Sequence, residues 1–146
     1  MYRRKAILLF LFIGLFNSCQ TATTATDWKP QFLDKEQAPL VDAMATAIIA
    51  QAEKPTELVP IINNFIDTTV LKYSGYEQLQ FKKGIKLLEK QAKFFTGKSF
   101  LDCKIAEQQK YLQLQESEAK DSWKRTGEKP FFLTFKEMVL AGAAKG

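Results

Sequence analysis

No histidine occurs anywhere in this chain of 146 residues. That removes the commonest general base, the commonest transition-metal ligand and every Ser-His or Cys-His nucleophile pair. Cysteine is almost as scarce. Cys19 and Cys103 are the only two, too few for a zinc or iron–sulfur cluster or for a haem-attaching pair. No glycine-rich GxGxxG or GxxxxGK stretch exists to cradle phosphates. Seven glycines and five prolines exclude a linker-like or collagen-like chain. A basic face is missing too. The formal charge of +5 includes Arg3, Arg4 and Lys5, without which 21 basic residues become 18 against 16 acidic ones. The remaining lysines are mixed with acids, which gives no footprint for nucleic acid. A catalytic role for this chain alone is therefore not expected.

What is present is a small helical domain behind a hydrophobic leader. With 46% hydrophobic residues, a chain of this length buries roughly two-thirds of its unfolded surface in one core. Arg3, Arg4 and Lys5 precede the apolar run Ala6–Phe16, which is shorter than the ~20 residues needed to cross a bilayer as a helix. A basic segment, a short apolar run and then Ser18-Cys19 resemble a bacterial lipoprotein signal, in which cleavage leaves the cysteine first and lipidated. We expect residues 1–18 to be that signal, Cys19 the lipidation site and 19–26, QTATTAT after the cysteine, a flexible tether. The alternative is an uncleaved amino-terminal anchor with Cys19 incidental. Arg3-Arg4 lacks the flanking residues of a twin-arginine signal, so a general secretory route is expected.

The rest, 27–142 with a short tail 143–146, reads as an all-α bundle of about five helices. Asp34 and Gln37 have capping-box spacing, and the first helix starts there or at Pro39. Leu40, Met44 and Ile48, with Val41, Ala45 and Ile49 beside them, make one apolar face. Pro60 opens a second helix carrying Ile61, Ile62, Phe65, Ile66, Val70 and Tyr73. The role of Asp67 on it is open, a solvated or capping carboxylate being favoured over a functional one. Ser74 and Glu77 cap a third helix with Phe81, Ile85, Leu88, Ala92 and Phe95 on one face, Gly84 at a close contact and Gly97 as its stop. Its lysines, Lys82, Lys83, Lys86, Lys90 and Lys93, read as a solvated face, and the acidic residues nearby weaken a lipid-headgroup reading. A fourth, weaker helix has Ile105, Tyr111, Leu112 and Leu114 as apolar positions, and Cys103 near its start reads as a small buried hydrophobe. Ser117–Lys129 reads as a charged connector holding Trp123. Pro130 opens the last helix, with Phe131, Phe132, Phe135 and Val139 as core.

Several of these pieces, in order, resemble one family. They are Trp28-x-Pro30-x-Phe32-Leu33, Gln37, Ile48-Ile49, Pro55, Phe65-Ile66-Asp67, Phe81-x-x-Gly84 with Leu88, Gly97-Lys98-x-Phe100, and Pro130-Phe131-Phe132 with Lys136-Glu137 and Gly142. Together they are similar to subunit 3, the small subunit, of membrane-bound gluconate 2-dehydrogenase. The resemblance implies an all-α accessory subunit with no cofactor of its own. Its expected partner is a large FAD-dependent subunit of the glucose-methanol-choline type, with a cytochrome c subunit in some complexes. The signal segment in turn leads us to expect a place in the bacterial envelope, facing the periplasm and held to the membrane by the lipid anchor at Cys19. The chain departs from the family pattern at Ala50, at Lys54-Pro55-Thr56-Glu57 in place of a glycine-containing turn, and after Gly142. For partner contact we single out Trp28 and the loop Lys54, Pro55, Thr56, Glu57, Leu58 and Val59. The bland alternative for Trp28 is a cap on the core. The competing function is a solitary binding lipoprotein that reuses the fold.

Overall fold

Asp34 starts the ordered helical architecture by satisfying free amides. Its Oδ1 accepts the N–H groups of Glu36 and Gln37 at 3.0 and 2.8 Å, the partners that a helix start otherwise lacks. Gln37 does not reach back to complete a capping box. Its amide instead crosses to another helix and donates to the Lys82 carbonyl at 3.0 Å. The structure, a computed structural model, describes residues 28–146; the expected signal 1–18, Cys19 and the tether 19–26 lie outside the described residues. Five α-helices follow in order: α1 (Gln37–Gln51), α2 (Val59–Leu71), α3 (Gly75–Thr96), α4 (Ile105–Thr126) and α5 (Phe131–Ala143). Single 3₁₀ turns, Thr56–Leu58 and Phe100–Asp102, precede α2 and α4. There is no strand among the described residues, so the all-α expectation holds.

Helix α1 is the axis of the bundle and touches each of the other four. The expectation of one apolar face understates it: Leu40, Val41, Met44, Ala45, Ala47, Ile48 and Ile49 are all buried, and only Pro39 and Ala50 are exposed. Pro39 falls in the first turn, where a missing N–H breaks little. Ala45 and Ala47 keep the helix thin enough for neighbours to close in on several sides.

Helix α2 has Pro60 in its first turn and buries Ile62, Ile66 and Val70. Phe65, expected in the core, is only half-buried, and Ile61 is exposed; both sit on the flank of α2 that turns from α1. Helix α3 has the expected complete capping box between Ser74 and Glu77, and it ends at Gly97 in the left-handed conformation, φ 77°. Helix α5 starts after Pro130 and buries Phe132, Phe135 and Val139.

Two expectations fail in α4. Ser117–Lys129 is no connector, because the helix runs to Thr126 and stops at Gly127, φ 74°. Ala119 is buried there, and Glu116 pairs with Lys120 at 2.7 Å along the helix and with Lys136 of α5 at 2.8 Å. These contacts substitute for the apolar repeat that the segment lacks. Ile105 is exposed because it is the first residue of the helix, outside the core. Tyr111 and Leu112 are buried as expected. The Tyr111 ring meets Phe100 edge-on at 5.9 Å, and its hydroxyl donates to the Leu88 carbonyl at 2.7 Å.

Candidate functional site

Asp67 is the most consequential polar residue of the fold. It is neither solvated nor a cap, contrary to the sequence reading. It is buried on α2, and its carboxylate accepts three backbone N–H groups from the lead-in segment. Oδ2 accepts from Gln31 at 2.6 Å, and Oδ1 from Phe32 at 3.1 Å and Leu33 at 3.0 Å. Charge-assisted bonds of this kind are roughly twice as strong as neutral ones. Both oxygens are thereby committed, which makes Asp67 an anchor and not an available base. Periodicity could not find it, because its partners lie 34 to 36 residues upstream. One level up the same helix, Asn63 is fully buried and donates to Asp42 Oδ1 of α1 at 2.6 Å.

The lead-in segment is pinned from its other side as well. The Lys82 ammonium sits 4.7 Å from the centre of the Phe32 ring, a cation–π contact. Trp28 is half-buried and packs against the core cluster, with its indole Nε1 out of contact with water.

The loop before α2 is built differently. Helix α1 ends in a Schellman arrangement: Lys54 N–H donates to the Ile49 carbonyl and Glu53 N–H to that of Ala50, each at 3.1 Å. Glu53 occupies the left-handed position at φ 56°, where glycine is usual. Pro55 then turns the chain into the Thr56–Leu58 turn. Lys54, Pro55, Thr56 and Glu57 are exposed, Leu58 is half-buried, and Val59 is buried as the first residue of α2. The loop feeds the first turn of α2, whereas the segment of Trp28 is tied to Asp67, some 12 Å further along the helix at 1.5 Å per residue.

A larger concavity went unseen in the sequence. A groove of about 770 Å³ opens between α3, α4 and the start of α5. Gly84, Leu88, Ala119, Phe131 and Phe132 line its apolar part, with Gln91, Glu118, Lys124 and Arg125 on its polar part. The expected close contact at Gly84 is there: a Cβ on it would lie 2.4 Å from the Phe131 ring. Only the three-dimensional arrangement brings these three helices to one cleft.

The charges nearby serve cohesion. Hydrogen bonds from Lys120 and Lys136 hold the Glu116 carboxyl below the usual carboxylate range. Burial, aided by the charges of Glu89 and Glu118, pushes the Tyr111 hydroxyl well above the usual phenol range. Cys103 is buried, with its Sγ 3.3 Å from the Ser99 carbonyl and 3.4 Å from Thr96 Oγ1. Among the described residues no group of three or more His, Cys, Asp or Glu side chains is placed to hold a metal ion. Nor is any helix among them long and apolar enough to cross a membrane.

The fold and its surface thus define a five-helix module in which the buried polar side chains tie the chain to itself. The family model described as Gluconate 2-dehydrogenase subunit 3 matches residues 35–145. The chain belongs to the gluconate 2-dehydrogenase subunit 3 family. Comparison with curated proteins and with solved structures gave no match.

Proposed function

We propose that this chain is the non-catalytic small subunit of a membrane-associated, flavin-dependent dehydrogenase of the gluconate, sugar or polyol class. The observation that carries the reading is the family match over residues 35–145, which covers all five helices. On this reading FAD resides in the large partner subunit, and a cytochrome c subunit completes the assembly where one is present. The small subunit stabilises the large one or attaches it to the membrane, and Cys19 supplies the lipid anchor on the periplasmic side of the envelope. The exposed loop Lys54–Glu57 is the part of the suggested contact surface free to meet a partner; Trp28 contributes by fixing the lead-in segment. Binding a folded partner stabilises it by mass action without altering its chemistry.

The test is affinity capture of tagged full-length protein from detergent-solubilised membranes, with partners identified by mass spectrometry, alongside a deletion strain. A flavoprotein dehydrogenase should be enriched. Deletion should lower the amount or membrane association of active enzyme while turnover per remaining flavin stays near normal. Capture without any flavoprotein, from cells grown on sugars or sugar acids, would replace this reading with a solitary binding lipoprotein. For the anchor, Cys19→Ala should release the protein into the soluble fraction or leave an uncleaved precursor.

A further inference from the structure

Helix α3 carries two apolar stripes, and the bundle uses only one. Phe81, Ile85, Leu88 and Ala92 are buried. On the other side Tyr76, Leu79, Leu87 and Phe94 are 72%, 48%, 50% and 94% exposed. With Lys83 and Lys90 between them, these positions recur at three and four residues and so form a single row. The row extends over roughly 27 Å at 1.5 Å per residue. A lone exposed leucine needs no explanation, but a row of four large apolar side chains does.

The charge on the row and along one flank of it is positive. Lys83, Lys86, Lys90 and Lys93 are exposed on or beside it. The two carboxylates of α3 are engaged elsewhere. Glu77 closes the capping box with Ser74, and Glu89 accepts the Phe100 N–H at 3.1 Å and lies 3.7 Å from Lys93. Glu118 and Asp121 stand across the groove beyond Leu87, beside Lys124 and Arg125. Aromatic and leucine side chains edged by lysines are the composition of a helix that lies in a bilayer interface.

We propose that the Tyr76–Phe94 row of α3 is a lipid-contact face that rests on the surface of an anionic bilayer, with the apolar side chains at the acyl boundary and the lysines at the phosphates. No helix among the described residues is long and apolar enough to span, so the contact lies along the surface. It is independent of whether the partner is a dehydrogenase.

The test uses the full-length chain with a benzophenone-bearing phenylalanine in place of Phe94, reconstituted into phosphatidylcholine vesicles with or without phosphatidylglycerol. A second probe at Gln113, exposed on α4, serves as the control. Irradiation should give phospholipid adducts at position 94 several-fold above those at 113, in the anionic vesicles. Each lysine near an anionic surface contributes about fivefold. The triple variant Lys83→Gln/Lys86→Gln/Lys90→Gln should therefore lower the adduct yield at least fivefold, with the helical circular dichroism unchanged. Three results overturn the proposal: adducts at 94 no higher than at 113, adducts indifferent to lipid charge, or cross-links at 94 to protein instead of lipid. The last would assign the row to a second copy of the chain, the one protein present in these vesicles.

Discussion

Helices α2 and α5 cross so closely that a Cβ on Gly142 would lie 3.0 Å from the Ile62 Cα and 3.1 Å from the Phe65 ring. Helices α3 and α4 stand far enough apart to leave a groove of about 770 Å³. The first pair shares one buried apolar core, with Ile62 and Ile66 from α2 and Met138 and Val139 from α5. The second shares that core too, through Leu88 and Leu112, and adds directed bonds: the Tyr111 hydroxyl to the Leu88 carbonyl, and Lys98, just after α3, to Glu107 at 3.1 Å. The same contrast holds where α4 meets α1, through Gln109 donating to the Ala47 carbonyl at 3.0 Å. The α2–α5 crossing leaves no room for even a methyl group at Gly142. Helices α3 and α4 leave a cleft beside their shared core, and α3 an uncovered apolar row.

Three substitutions probe this contrast by chemical denaturation. Ile62→Ala, at a fully buried position, should cost about 3 kcal/mol, within the range for large-to-small core changes. A loss under ~1 kcal/mol would mean that the α2–α5 contact is loosely packed. Gly142→Ala comes next, at about 2 kcal/mol. The obstacle is backbone, which cannot swing aside, and overpacking of this kind typically costs ~1–3 kcal/mol. Tyr111→Phe should cost about 1 kcal/mol, the net contribution of one hydrogen bond, because the ring and its packing remain. A loss as large as that of Ile62→Ala would show that α3 and α4 depend on that bond far more than the comparison holds.

Much of the fold could be read from residue spacing. The caps at Asp34, Ser74 and Gly97 and the prolines that open α2 and α5 act within four residues, which is the reach of a sequence pattern. The second half of α4 could not be read in this way. Its register depends on Glu116 meeting Lys136 of another helix and on one small buried residue, Ala119. Asp67 was illegible for the same reason, since nothing local distinguishes a buried carboxylate from a solvated one. Two fragments of the family resemblance, Trp28–Leu33 and Phe65–Asp67, are nonetheless the two halves of this one hydrogen-bonded unit. Their linkage required coordinates. The lysines of α3 read correctly as exposed, but the apolar row they flank emerged only when the other stripe was seen to fill the core.

The Asp67 anchor also has a mechanical consequence. Any pull applied through the residues before Trp28 enters the domain at Gln31, Phe32 and Leu33, and reaches the three bonds to Asp67 before it reaches a helix. Those bonds close a loop of some 35 residues onto the middle of the domain, so the load passes into α2 and the start of α1 is spared. If they yield first, the chain lengthens by the few residues between Gln31 and Gln37, about 20 Å at full extension, while the five-helix core stays folded. In that case the segment acts as a length of slack in series with the residues before Trp28.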